Sequence, residues 1–318
     1  MVARVRARGL SINRLQSAST AHCQQTCSGS AELLTPTMQS VESLQPGDVP
    51  HRGKRRTRRL WVYLGLAVVL LLCITVAVLM VTLRKGTNPL RETFISRCEL
   101  LQGYNCQDLW AKFQQAYVGQ DPCKIPWEAY DPFIAAATFE PACNRMMFWS
   151  KTKDVVHDFT DKRECFVTME DTVLGSLLDD LTWCGKEGSS ETFTSNCPGW
   201  TECENNPVRS FWSRASSVFA DKACGDVSAM LNGSLVTPFS PTSIFGGIEV
   251  KRLNSTRVKS LKVILVTQEI AVSNCTNASF QDLQKELDEG IKYDCTEVTE
   301  SHLQECSSDP EKPCGPCW

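Results

Sequence analysis

The sequence predicts one transmembrane helix followed by a disulfide-stapled α+β ectodomain. The ectodomain reads as mainly helical in its first half and as α/β, with a small parallel sheet, in its last third. Three observations predict this: an uncharged run of 23 residues at Trp61–Leu83, fourteen of the seventeen cysteines placed after position 85, and a strand–helix–strand pattern between Leu261 and Val298. At 318 residues the chain is long enough for one large or two modest domains.

The apolar run comes first. At about 1.5 Å rise per residue it reaches about 34 Å, enough to cross a hydrocarbon core of about 30 Å. It lies some sixty residues into the chain, too deep for a cleaved secretory signal. The segment His51–Arg59 places six basic residues before it, and only Arg84 and Lys85 follow it. The positive-inside rule then puts the N-terminus in the cytosol and the rest outside, a single-pass type II protein of the plasma membrane. The division expected is a cytosolic tail over 1–59, a membrane helix over 60–83, a stalk over 84–97 and an ectodomain over 98–318. The tail is rich in Ser, Thr, Gln and Arg with little apolar periodicity, the composition of a disordered segment.

Charge and cysteines agree with that topology. After position 85 there are 21 basic and 33 acidic residues, which excludes a nucleic-acid footprint there. The cysteine density is that of an oxidising compartment. Four sequons, at Asn232, Asn254, Asn274 and Asn277, fit a glycosylated ectodomain.

Within the ectodomain, Asn206 and Pro207 stand as the cap and first residue of a helix carrying Val208, Phe211, Trp212 and Ala215 at helical spacing. Thr168 and Asp171 stand at capping-box spacing before an apolar stripe of Val173, Leu174, Leu177, Leu178 and Leu181, a helix with Asp179 and Asp180 near its end. Negative charge there opposes the helix dipole, so stability alone would not place it. Leu261–Val266 and Tyr293–Val298 read as strands around a helix with Phe280, Leu283, Leu287 and Ile291, an order that favours parallel pairing.

Phosphate loops, G-x-G-x-x-G and G-x-S-x-G are missing. Beyond the membrane run only His157 and His302 are histidines, too few for a His-based triad or metal site, and no metal is expected. Cys314 and Cys317 have the spacing of a redox pair, but such a pair needs a helix N-terminus after it, and the sequence given runs only to Trp318. Carboxylates and tryptophans remain as carriers of chemistry.

Six blocks in order resemble the ADP-ribosyl cyclase / cyclic ADP-ribose hydrolase family, and its type II transmembrane members most of all. They are Phe148–Lys151, Met169–Gly175, Asp179–Gly185, Asn205–Trp212, Met230–Ser234 and Phe245–Glu249. The resemblance spans about Cys98 to Cys314. It implies a two-lobed fold, with a helical lobe of about 86–142 and 168–223 and an α/β lobe of about 143–167 and 224–318. It also implies disulfides Cys98–Cys106, Cys123–Cys203, Cys143–Cys224, Cys184–Cys197, Cys275–Cys295 and Cys306–Cys314, leaving Cys165 and Cys317 over.

The resemblance further implies an enzyme that cleaves the nicotinamide–ribose bond of NAD, giving ADP-ribose and cyclic ADP-ribose. It implies hydrolysis of cyclic ADP-ribose, base exchange on NADP and a place in calcium signalling, with NAD as substrate and no cofactor. Glu249 matches the catalytic glutamate, and Trp149 and Trp212 match the two indoles whose faces suit a cationic pyridinium. Glu170 and Asp179 match the acidic pair at the nicotinamide carboxamide. On one ideal helix they would lie on opposite faces, so Glu170 must sit at or before the cap. Ser150, Lys151, Ser216 and Phe245 match further pocket positions around the pyrophosphate. Two departures bear on the product balance: Lys151 stands where the mammalian relative has Arg, a point charge for a fork, and Ile244 stands where it has Thr. An adhesion receptor that has lost catalysis and a redox protein using the last two cysteines stay open as readings of another class. A homodimer or receptor partner is likewise left open.

Overall fold

Asparagine caps set the starts of three helices in the computed structural model, which describes residues 54–84, 88–162, 166–268, 271–309 and 317–318. Asn88 Oδ1 accepts from the N–H groups of Leu90 and Arg91 and opens α2 (Pro89–Glu99). Asn105 caps α3 (Cys106–Gln115), and Asn206 caps α7 (Pro207–Asp221) with Pro207 as its first residue. Each cap satisfies an N–H that the helix cannot, worth about 1 kcal/mol.

Residues 54–84 are described by themselves. They form α1, Lys54–Arg84, whose apolar side chains from Trp61 to Val76 are exposed. Side chains in α1 are described without a break only over 61–76, and among the described residues no helix is long and apolar enough to cross a membrane. The tail over 1–53 lies outside the described residues.

Residues 88–318 form a separate unit. After α2 and α3 come α4 (Asp131–Ala136), β1 (Met147–Ser150), α5 (Lys153–Lys162) and α6 (Val173–Leu178). After α7 come β2 (Gly225–Asn232), β3 (Val258–Thr267), α8 (Ser279–Glu286), β4 (Lys292–Thr299) and α9 (Glu300–Ser308). The strands form one sheet in the order β1-β2-β3-β4, every neighbouring pair parallel. The expected strand–helix–strand is β3, α8 and β4, with Leu261 opposite Tyr293 and Val266 opposite Val298.

Side chains alternate across this sheet and so divide the core in two. Val227, Ala229, Leu231, Val263 and Leu265 join the larger cluster with Phe94, Phe113, Phe133, Trp183 and Phe211 from the helices. Met147, Met230, Ile264 and Val298 face the other way, onto Val156 and Phe159 of α5 and Leu303 of α9. Each fully buried side chain of this size contributes about 1.5–3 kcal/mol over exposure. The larger cluster has a polar spine: Trp183 Nε1 donates to the Tyr130 hydroxyl at 2.9 Å, which donates to the Pro207 carbonyl at 2.9 Å.

Five disulfides join the cysteines that the resemblance pairs: Cys98–Cys106, Cys123–Cys203, Cys143–Cys224, Cys184–Cys197 and Cys275–Cys295. The second and third close loops of 80 and 81 residues, worth roughly 4–5 kcal/mol each in the chain-entropy account. The sixth expectation is corrected: Cys306 bonds Cys317, not Cys314. Trp318 stacks on Phe159 and Phe166, with ring centroids at 5.3 and 5.1 Å, and this draws the adjacent Cys317 into the core beside α9. Cys317 is therefore not half of a dithiol pair with Cys314; Cys314 and Cys165 lie outside the described residues.

The helix expected from Thr168 onward is shorter than its stripe suggested. Thr168 and Asp171 do form a capping box, but around a single 3-10 turn, Met169–Asp171. Thr172 then goes extended (ψ 167°), α6 restarts at Val173, and it stops at Leu178, ahead of Leu181.

Candidate active site

Parallel strands leave their carboxyl ends on one edge, where open α/β sheets place ligands. Here a cleft of about 1350 Å³ opens at the end of β1 and beside the segment that follows β2, walled opposite by α7. Trp149 and Ser150 end β1, and Lys151 after them is left-handed (φ 59°), a conformation side chains rarely adopt. Asn232, ending β2, holds that turn by donating from Nδ2 to the Lys151 carbonyl at 2.9 Å.

Glu170 rides on the 3-10 turn, before the break at Thr172. That meets the constraint that it precede the helix carrying Asp179. Its closeness to α6 depends on Gly175, where a Cβ would lie 2.2 Å from the Glu170 Cα. Glu170 accepts from Trp149 Nε1 at 3.1 Å, which fixes one indole against one carboxyl group. His157 packs edge-on against Trp149, centroids 5.7 Å apart.

Past α6 the chain turns sharply, with Asp180 left-handed at φ 60°. The two acids that oppose the helix dipole are met by cations. Lys153 donates to Asp179 at 2.9 Å and to Asp180 at 2.6 Å, and Arg97 donates to the Asp179 carbonyl at 2.7 Å. Burial works against the Lys153 charge, but the bonds to Asp180 and Asp179 prevail and hold its pKa above the ordinary value.

Opposite, α7 turns Trp212 and Ser216 into the cleft. Glu249 closes a π-turn, Phe245–Glu249, and lies at the cleft floor, 6 % exposed. Gly246 lets this turn press on its neighbour, since a Cβ there would lie 2.2 Å from the Ser240 carbonyl oxygen. Burial pushes the Glu249 carboxyl up to about 8, the Ser216 hydroxyl bond opposes the rise, and nearby Glu170 adds to it. Glu170 is also raised, chiefly by burial, with His157 and the Trp149 bond pulling the other way. Glu249 is buried and Glu170 half-buried beside the Trp149 indole, surroundings that disfavour the charged carboxylates and in which a cation would favour them.

The cleft thus gathers Glu249, Trp149, Trp212, Glu170, Asp179, Ser150, Lys151 and Ser216. The Phe245 ring does not line the cleft: it is buried in the core, 6.1 Å from Phe148 and 6.2 Å from Phe239, so what this residue can offer a ligand is its backbone N–H. Trp127, Lys153, Trp200 and Arg209 also line the cleft and were missed. Arg209 was legible in principle, since 209, 212 and 216 share one helical face. Lys153, Trp127 and Trp200 enter only through tertiary folding. Of the sequons, Asn254 and Asn274 are exposed, while the Asn232 and Asn277 side-chain N–H groups are engaged with the Lys151 and Val236 carbonyls. Among the described residues no cluster of His, Cys, Asp or Glu is arranged to hold a metal ion.

The family model described as ADP-ribosyl cyclase matches residues 87–315. The mouse protein named ADP-ribosyl cyclase/cyclic ADP-ribose hydrolase 1 is 33% identical over 290 residues, 84% of this chain and 95% of that one. Porcine CD38 solved with a covalent intermediate, ribo-F-ribose-5'-phosphate, is 35% identical with a TM-score of 0.63, covering 67% of this chain and 97% of that chain. Aplysia cyclase complexed with substrate NGD and product cGDPR is 30% identical with a TM-score of 0.63, covering 73% and 97%.

Proposed function

This chain belongs to the ADP-ribosyl cyclase family, and on that premise we propose that it cleaves the nicotinamide–ribose bond of NAD at Glu249. The observation that carries the reading is a carboxyl group buried at the floor of a cleft that also holds Trp149 and Trp212. The indole faces attract the pyridinium, and its positive charge draws Glu249 into the ionised form. As the C–N bond breaks, its electron pair leaves with nicotinamide, which departs neutral and needs no general acid. The electron-poor ribose carbon then faces the Glu249 carboxylate, the electrostatic complement of an oxocarbenium-like transition state.

One intermediate serves several products. Water attacks and loses a proton to give ADP-ribose; adenine N1 attacks to give cyclic ADP-ribose; a free pyridine base re-enters to exchange the base, as on NADP. Glu170, bonded to Trp149, stands where the nicotinamide end would lie and favours water over a folded-back adenine.

The chain works from the cell surface in this reading. The 23-residue apolar run and the basic cluster before it support a type II anchor in the plasma membrane, and the disulfides among the described residues and the exposed sequons at Asn254 and Asn274 suit the outer side. The test is release of nicotinamide from NAD by the full chain in washed cell membranes, with cyclic and hydrolysed products separated by chromatography. No release would refute the activity. An epitope at residue 5 that stains on intact cells would refute the topology.

A further inference from the structure

Six carboxyl groups and three cations line the cleft. Lys153 is committed to Asp179 and Asp180, which leaves Lys151 and Arg209. A dinucleotide brings two phosphate charges into this acidic surrounding, and each needs a fixed positive partner there. We propose that Arg209 binds the phosphate of the dinucleotide farther from the cleaved ribose, while Lys151 takes the nearer one. The proposal rests on NAD being the substrate and deepens that reading.

Arg209 is held loosely enough to change partners. Its ion pair is with Glu204 at 3.8 Å, and that carboxylate side chain is 82% exposed. Such a contact contributes little and is readily exchanged for a phosphate. Guanidinium presents two parallel N–H groups to phosphate oxygens, which the Lys151 ammonium cannot do.

Position along α7 separates the two phosphates. Arg209, Trp212 and Ser216 line the cleft from one helical face, and Ser216 bonds the Glu249 carboxyl group. Seven residues of helix put Arg209 about 10 Å along the axis from Ser216. Lys151 follows Ser150 directly at the end of β1. One phosphate of NAD lies a single ribose from the cleaved bond, and the other lies one P–O–P bridge further, toward adenosine. The long offset suits the second.

The test compares Arg209→Ala and Arg209→Lys with wild type in the full chain, by two readouts. In turnover, Arg209→Ala should raise KM for NAD about tenfold, the loss of one charge-assisted contact. It should lower kcat far less, and Arg209→Lys should recover part of the loss. Nicotinamide mononucleotide, which has only the nearer phosphate, should show no comparable rise. In binding, followed by tryptophan fluorescence, Arg209→Ala should weaken ADP-ribose about tenfold and leave ribose 5-phosphate little changed. An unchanged KM for NAD and an unchanged Kd for ADP-ribose would overturn the proposal, and so would equal losses for the one-phosphate and two-phosphate ligands. ADP-ribose binding needs no turnover, so a chain that cleaves no NAD but loses ADP-ribose affinity in Arg209→Ala would refute the catalytic reading and uphold this one.

Discussion

Glu249 and Asp179 line one cleft but live in different surroundings. Glu249 is 6 % exposed and bonded to a hydroxyl, whereas the Asp179 side chain is 30% exposed and bonded to the Lys153 ammonium. At the floor, burial holds the carboxyl toward its neutral form. At the rim, charge is already neutralised and serves to fix geometry. The same residue class is therefore proposed to do chemistry in one place and is held in ion pairs in the other, and what differs is the water around it.

Removing the carboxyl at the floor should have the largest effect. Glu249→Gln keeps size and hydrogen bonding but takes away the charge opposite the ribose carbon, and NAD cleavage should fall by about two to three decades. A variant retaining more than about a tenth of wild-type turnover would break the comparison at its centre.

The second carboxyl group of the floor, Glu170, should act on the choice of product. Glu170→Ala frees the Trp149 indole and removes the acid proposed to hold the nicotinamide end, so the cyclic fraction should rise several-fold while total turnover changes less. Chromatography of both products, with Ile244→Thr as a reference for the opposite wall, reads this directly. An unchanged ratio would reduce Glu170 to a support for Trp149.

The buried Glu249 carboxyl also has a pH signature. A carboxyl whose pKa is raised on folding, here from 4.5 to about 8, binds more protons folded than unfolded between those values. Stability is then full below pH 4.5 and is lost as pH rises toward 8. Glu249→Gln escapes that loss, so it should melt above wild type at pH 8.5 and within about 1 °C of it at pH 5. Equal melting at both would place Glu249 in contact with water.

The smallest effect belongs to the rim. Lys153→Ala should lower stability by under about 1 kcal/mol, because the pairs are more than a third exposed on the lysine side. Denaturant unfolding at low and high salt would show the difference shrinking with salt. A salt-independent loss would mean that the rim is as secluded as the floor.

Much of this was legible in the chain itself. Asn206–Pro207 starts α7, the Thr168–Asp171 box forms, and β3 and β4 follow their alternation, because caps and alternation act over a few residues; α8 keeps only Phe280 and Leu283 of its expected stripe, since the chain turns extended at Leu287 and leaves Ile291 outside the helix. The site residues were found through blocks rather than through propensity. Local pattern did not tell that the stripe ending at Leu181 would break at Thr172 and stop at Leu178, where Lys153 and Arg97 from distant segments make the turn favourable. It did not tell that Trp318 would pull Cys317 onto Cys306. Phe245 shows the limit of block matching, since the match does not tell whether a motif residue offers its side chain or its backbone, and here the ring is in the core.

Gly175 has a consequence of another kind. A methyl group there would collide with the Glu170 Cα and, at 2.5 Å, with the Met169 carbonyl oxygen. Glu170 is therefore placed by an empty position on the helix behind it. Any side chain at 175 moves the whole turn, and Trp149 with it through their shared bond. If Glu170 sets the ratio of cyclic to open product, as proposed, that ratio can be tuned from behind the wall, at a residue that does not itself line the cleft.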